Sequence, residues 1–498
     1  MMDRKNLIIA KILIFIVLIV ILLLSQQASK NLERSSDIPQ ASDIEQKTTT
    51  DSINYYYVKR ALKNLTKPPE TGMTEIATTE ISGIQMVLLK QGEIVFNHAE
   101  GFAMINQMGE KEALTIHHKM RIASISKLIM TMAFMKLVDE GKVDLDADVS
   151  EYLNFNLKNP HFPKSIITAR QLLSHTSSIR DEGHYFLPVG GSFETLFDSE
   201  QNDYPAKRFA KEVNQAPGKY FTYSNLNFGV LAAIIENVTG ERFDQYVSKT
   251  LFQPLNLNIS FNPCEIILNQ DMLAGLYRKG EGGSVWRPEG AWQEQVDGFT
   301  IGCFYGDEKK QRMAISKGNS LPDYRSIDSS TAGYKIGSNP TLFSPQGGLR
   351  ASATDLAILM QEFLKQNVQS FVLSDSSRQQ MIKTNWQYNA EIENGANEEH
   401  QPSVKGRTFS QYGLSVHKVN LKDWGLDEIS GEMQTLYGHL GEAYGLLGQF
   451  WFEPQTGNGI VILINGVGDD PAKAKSSTPI HGIEEQALRI ALEALNQD

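Results

Sequence analysis

The chain has 498 residues, 41% hydrophobic and 21% charged, which is apolar enough for a large core and excludes a disordered or fibrous protein. A formal net charge of −11 argues against a nucleic-acid partner without naming a substrate. Two cysteines exclude a disulfide-dense scaffold, and the His117-His118 pair lacks a third ligand at any familiar metal spacing. We therefore expect no metal and no cofactor, and packing or surface placement for those two histidines.

In chain order, Arg4 and Lys5 precede residues 7–24, which are apolar except for Lys11. Residues 1–25 read as a signal anchor or a signal peptide. The best cleavage position, after Ala28, has Gln26 where a small residue belongs, so the anchor is favoured. That places the chain in the cell inner membrane as a single pass with its catalytic part in the periplasm or outside; secretion to the periplasm is the alternative. Residues 26–70 are polar and read as a flexible linker, and 71–498 as one large domain. Residues 85–89 and 93–98 read as a hairpin turned at Gln91-Gly92.

Residues 121–141 are rich in helix formers, apolar nearly all round, and stopped by Gly141: a buried helix with Ser124 in its first turn. An unusual stretch at 260–342 carries Cys264, Cys303, Trp286 and Trp292. A disulfide there and two buried thiols are comparably reasonable, and the stretch is expected to shape a pocket. Residues 448–452 and 460–465 flank a turn and read as a second hairpin. Residues 483–495 read as an amphipathic helix with Ala487, Ile490, Ala491 and Ala494 at helical spacing. Strands at both ends with helices between them predict an α+β fold (an α/β sandwich). Its antiparallel sheet is flanked by helices and carries a mainly helical inserted subdomain.

Three short motifs carry chemistry: Ser124-Ile125-Ser126-Lys127, Tyr223-Ser224-Asn225 and His439-Leu440-Gly441. On a helix, Ser124 and Lys127 project from one face a turn apart. A serine hydroxyl is a poor nucleophile until its proton is removed, and a lysine among apolar neighbours has its charged form disfavoured. Tyr223 could share the proton traffic as base and then acid. A helix start supplies free N–H groups, so the Ser124 N–H suits half of an oxyanion hole, and the segment after His439 suits the other half. A second S-x-x-K, Ser415 to Lys418, lies in residues 412–420, which read as a strand that would point the two apart. A second Y-x-N, Tyr152 to Asn154, reads as an ordinary helix end or turn. His175 is expected to be structural, bonding the backbone behind the pocket. Tyr223 and Asn225 have a plain alternative as caps of a helix over 228–235, and His439 as a core or turn histidine. The absence of G-x-S-x-G, H-E-x-x-H and phosphate-loop motifs sets aside the usual α/β-hydrolase, zinc hydrolase and nucleotide-binding readings.

These motifs, with Gln171-Leu-Leu-Ser-His-Thr-Ser-Ser-Ile179, Gly347-Gly-Leu-Arg-Ala-Ser-Ala-Thr-Asp-Leu356 and Gly438-His-Leu-Gly-Glu-Ala-Tyr-Gly445, resemble the serine β-lactamase-like family. That family groups class C β-lactamases, DD-peptidases, D-aminopeptidases and esterases. The resemblance implies a β-lactamase/transpeptidase-like fold and an acyl-enzyme mechanism on a small-molecule or peptide substrate, for example one derived from the cell wall. It implies Ser124 as nucleophile, Lys127 as its activator and Tyr223 as base and acid. Asn225 would hydrogen-bond the substrate and help hold Lys127, His439 and Gly441 would also hold substrate, and the N–H groups of Ser124 and Glu442 would form the oxyanion hole. Ser178 stands where the family usually has glycine, and no K-T-G or K-S-G occurs. A histidine in that place is a weaker carboxylate anchor than a lysine. Serine hydrolysis of an ester or amide is therefore expected ahead of a DD-carboxypeptidase, a penicillin-binding protein or a weak β-lactamase. A catalytically silent binding protein is the remaining alternative. Glu442 either points away or puts an acid at the pocket mouth.

Overall fold

Alternate residues of the central strands are apolar on both faces, so the sheet must be covered on both sides. The computed structural model describes residues 55–67, 79–105, 109–183, 185, 187, 190–197, 208–268, 273–280, 286–296, 334–364, 372–396, 407–470 and 476–496. Its main sheet uses β1 (Gly83–Lys90), β2 (Glu93–Ile105), β3 (Lys111–Ala113), β8 (Trp386–Gln387), β9 (Gln411–Tyr412), β10 (His417–Asn420), β11 (Thr435–Ala443), β12 (Leu446–Glu453) and β13 (Asn458–Ile464). The order is β3-β2-β1-β13-β12-β11-β10-β9-β8, antiparallel throughout. Both expected hairpins are present, and the first and last strands meet at Ile84 opposite Ile464. Two small sheets also occur among the described residues: β4 (Met120–Arg121) with β7 (Arg350–Ala351), and β5 (Leu276–Gly280) between β6 (Ala291–Val296) and β14 (Gly466–Val467).

The five helices that matter for the site and its support are α1 (Tyr56–Leu65), α2 (Ile125–Asp139), α3 (Leu226–Thr239), α4 (Ala353–Leu364) and α5 (Gly482–Leu495). Ile84, Met86, Leu88, Ile460, Ile462 and Ile464 face one side, where Val58 and Leu62 of α1 pack with Ala487, Leu488 and Ala491 of α5. Val87, Leu89, Val461 and Leu463 face the other, against α2, α3 and α4. Burying each of these large aliphatic side chains contributes about 1.5–3 kcal/mol. Leu488 and Leu492 line the buried side of α5, and Ile490, expected there, sits at its margin.

Several expectations change. The polar stretch 26–70 contains α1, whose Val58 and Leu62 are fully buried, so the packed body starts before residue 71. Residues 412–420 are two short strands, because Gly413 N–H donates to the Val416 carbonyl (2.8 Å) and Ser415 takes φ +56° in the turn. Ser415 is thereby buried against α2, where its hydroxyl donates to Thr131 Oγ1 at 2.7 Å while Thr131 donates to the Lys127 carbonyl. Ser178, at φ +70°, explains the missing glycine's usual presence: the backbone is left-handed there, and Asn159 Nδ2 holds the Ser178 hydroxyl at 3.0 Å. Among the described residues no helix is long and apolar enough to cross a membrane, and no metal-binding cluster occurs. Residues 1–25, with the anchor or signal expected there, and the Cys264–Cys303 pairing fall outside the described residues.

Candidate active site

The chain enters the site along β4, turns at Ala123, and starts α2. Ala123 has φ +46°, a strained value for a residue with a side chain, so backbone strain is stored immediately before Ser124. Ser124 is the N-cap residue of α2. The helix is buried without a break from Ile125 to Met135, which explains its all-round apolar sequence. Ser126, the other serine of the motif, faces away and accepts from Leu349 N at 3.1 Å, tying the helix to β7.

Lys127 is fully buried, and its Nζ lies 2.9 Å from Ser124 Oγ, 2.8 Å from Asn225 Oδ1 and 2.9 Å from the Gln346 carbonyl. Two of these partners can only accept, so two N–H bonds of Lys127 point at them. The third position of the nitrogen faces Ser124: an N–H when the amine is charged, a lone pair when it is neutral. The orientation of the Asn225 amide follows from Asp181. Its carboxylate takes Asn225 Nδ2 at 3.0 Å, which leaves only the amide oxygen to turn toward Lys127. The same carboxylate accepts from Ser224 Oγ (2.8 Å), Asn225 N (2.7 Å) and Leu226 N (2.9 Å). Asp181 thus caps α3 from another segment, where a negative charge is favoured, and Asn225, the N-cap residue, makes no side-chain cap bond.

Tyr223 is held by stacking, with His175 at 4.3 Å on one side and Phe409 at 5.4 Å on the other. Lys127 Nζ lies 4.8 Å from its ring centroid. His175 accepts from Ser224 N at 3.1 Å through Nδ1, the structural role expected of it. His439 Nδ1 meets the Leu440 carbonyl at 2.5 Å and Nε2 meets Tyr412 Oη at 3.1 Å. A carbonyl only accepts, so the proton is on Nδ1 and Tyr412 donates to Nε2. Both nitrogens are engaged inside the protein, and the ring offers the cavity its carbon edge. His417, which the sequence did not single out, packs 4.3 Å from His439 and also lines the cavity.

Burial, and then the nearby Lys127 side chain, push His439 down to about 3. Burial likewise holds His175 and His417 well below the ordinary histidine value. An unfolded chain takes up these protons below about pH 6.5 and the folded one refuses them, so their contribution to stability is lost as pH falls from there. Glu484, pushed up to about 7 by burial, acts oppositely: what it contributes is lost as pH rises through 7. Burial raises Glu236, Glu362 and Glu453 too, but burial also lowers His98 and His118, and hydrogen bonds hold Asp139, Asp146 and Glu485 (about 2) low. The lowered groups outnumber the raised ones, so the melting temperature should drop from pH 6.5 to pH 4 in thermal scans. A flat profile over that range would show that the imidazoles are not buried neutral.

The strand facing Ser124 is β11. Its ladder with β10 stops at Gly438, so residues 439–443 pair only with β12 and present an edge toward the start of α2. Gly441 permits this approach, because a Cβ there would stand 2.5 Å from the Ile122 carbonyl. A cavity of about 540 Å³ opens between them, and Ser124, Tyr223, Asn225, His439, Gly441 and Glu442 all line it. The Glu442 side chain is 51% exposed, and His481 Nε2 lies 3.2 Å from its carboxylate. Lys127 is the one expected residue set behind the wall. Asp181, Gln346, His417 and Arg278 were missed in the sequence. An acidic residue two positions after the Leu172–Ile179 motif was the available signal for Asp181.

The profile of the Beta-lactamase family matches residues 61–481. Protein flp of Staphylococcus aureus is 28% identical over 177 residues, 36% of this chain and 34% of that protein. The D-aminopeptidase of Brucella anthropi is 32% identical over 176 residues, 35% of this chain and 32% of that one. The matches thus cover about a third of the length of these curated relatives. The octameric penicillin-binding protein homologue from Pyrococcus abyssi superposes with a TM-score of 0.54 at 20% identity, over 84% of this chain and 74% of that one. At that identity the likeness concerns the fold.

Proposed function

Because the chain belongs to the Beta-lactamase family, we propose that it is a serine hydrolase that cleaves an ester or peptide-like amide through an acyl-enzyme on Ser124. The observation that carries this reading is the placement of Lys127 Nζ. Two fixed carbonyl acceptors hold it with its third position 2.9 Å from Ser124 Oγ. When Lys127 is neutral, its lone pair meets the Ser124 O–H, the requirement for a general base.

The Ser124 proton passes to Lys127, with Tyr223 sharing the transfer, as Oγ bonds the substrate carbonyl carbon. The oxyanion is taken by the N–H groups of Ser124 and Glu442, one at the helix start and one on the open edge of β11. Collapse breaks the bond to the leaving nitrogen or oxygen, which receives the proton from Tyr223. Water then attacks the ester, returns its proton through the same groups and releases Ser124 Oγ. The D-aminopeptidase likeness favours a D-amino peptide or amide as substrate. Export, and tethering to the inner membrane through residues 1–25, belong to the same reading.

Full-length protein treated separately with a fluorophosphonate probe and a fluorescent penicillin, then mapped by peptide mass, tests it. The expected adduct is on Ser124 with the fluorophosphonate. Labelling by both reagents would bring the penicillin-binding reading forward. No adduct from either reagent on folded protein would sink the hydrolase and leave a binding protein.

A further inference from the structure

The hairpin of β11 and β12 turns on Tyr444 and Gly445 alone, because Ala443 pairs directly with Leu446. Both turn residues are left-handed, Tyr444 at φ +57° and Gly445 at φ +93°. Turns of this kind favour asparagine, aspartate or glycine in the first position, since a larger side chain crowds the backbone there. Gly445 is dictated by space as well: a Cβ on it would stand 2.0 Å from the Tyr277 carbonyl. Tyr444 is different, for it is 42% exposed and core packing does not explain it. A tyrosine held in a strained backbone conformation at the rim of a reactive cavity points to a functional reason.

Tyr444 lines the same cavity as Ser124. One face of its ring meets Arg121, whose guanidinium carbon lies 5.3 Å from the ring centroid and whose Nε donates to the Gly347 carbonyl at 2.9 Å. The guanidinium is thereby fixed, and it fixes the ring in turn. With that face engaged, the other is what an occupant of the cavity can meet. Tyr185 also lines the cavity, within electrostatic reach of both Arg121 and Tyr444. The two ends of the open edge of β11 differ. On the hydrolase reading, on which this inference rests, Tyr223 hands its proton to the leaving group, and its ring lies 6.2 Å from that of His439. Past His439 along the chain come the oxyanion donor, the Glu442 N–H, and then Tyr444. A carbonyl carbon carries its leaving group and its acyl chain on different sides. A leaving group at the His439 end therefore directs the acyl chain toward Tyr444.

We infer that Tyr444, backed by Arg121, is the specificity-determining wall against which a flat, aromatic acyl group of the substrate packs. Contact between two rings accounts for a tyrosine where the turn by itself asks for asparagine.

The test uses full-length protein and two p-nitrophenyl esters that share a leaving group, the phenylacetate and the cyclohexylacetate. Each kcat/KM is corrected for turnover that survives Ser124→Ala and divided by the ester's rate of hydroxide hydrolysis. Cyclohexyl matches phenyl in size but is not flat, so a merely apolar pocket takes it at least as well. The wild type is expected to favour the phenylacetate by about 2–10-fold, the range of an aromatic pair beyond its buried area. Tyr444→Asn should bring that ratio to about one and, by relieving the turn, hold the melting temperature or raise it by about 1–2 °C. Tyr444→Phe, which keeps the ring, should keep the preference. No preference in the wild type, or a preference that survives Tyr444→Asn, overturns the wall. Loss of the preference together with several degrees of melting temperature returns the ring to a structural role and overturns it too. Ser124-dependent turnover of both esters without preference removes the wall and keeps the hydrolase. If neither ester is turned over, the hydrolase reading fails, and ligand-observed NMR with phenylacetamide and cyclohexylacetamide decides the wall by itself. A Tyr444-dependent preference for the first upholds it, and equal or no binding overturns it.

Discussion

Lys127→Met is expected to lower kcat/KM by about 10²–10⁴-fold, the range a positioned general base contributes. Methionine nearly preserves the volume of the buried stem but can neither accept the Ser124 proton nor donate to Asn225 Oδ1 and the Gln346 carbonyl. Each acceptor left without its donor costs roughly 1–3 kcal/mol, so the melting temperature should fall as well. Activity and stability are separable by the rate of fluorophosphonate labelling on protein that circular dichroism shows to be folded. Lys127→Arg supplies the second arm, since it restores donors without a usable lone pair. It should recover stability in part and acylation hardly at all. Acylation within threefold of wild type in either variant would remove Lys127 from the mechanism.

The second large effect is expected at Asp181. Asp181→Asn should slow acylation by about 10–100-fold, the size seen when the orienting partner of a working group is lost. An asparagine can present N–H where only an acceptor fits, facing Asn225 Nδ2 and the N–H groups of Asn225 and Leu226. The Asn225 amide is then free to flip, turning its nitrogen toward Lys127 and removing one of the acceptors that aim the amine. A purely structural role would lower the melting temperature and leave the pH dependence of kcat/KM in place. The positioning role moves the limb that reports Lys127, and an unshifted limb in folded protein would sink it. Asp181→Glu, which keeps the charge and lengthens the arm, should recover part of the rate.

Much of this was legible beforehand. The Ser124–Lys127 relation follows from helical spacing alone, because residues three apart share a face. The hairpin of β1 and β2, that of β12 and β13, and the buried α2 each announced themselves through local periodicity and turn residues. For Asn225 the family resemblance implied the contact with Lys127, but local sequence did not explain it: an asparagine before a helix reads as a cap, and the arrival of Asp181 from 44 residues away frees its side chain for Lys127. Residues 412–420 misread as one strand because apolar alternation survives a tight turn that costs only a left-handed Ser415.

By itself, then, the amino-acid order determined which groups could react, and in which helical register, since both depend on interactions within a turn or a hairpin. The tertiary structure alone decided what surrounds them. The carbonyl of Gln346 lies 219 residues from the amine it fixes, and Arg278 enters the cavity on a strand of a separate small sheet. The identity of such partners depends on how sheet and helices pack, and no local pattern records it.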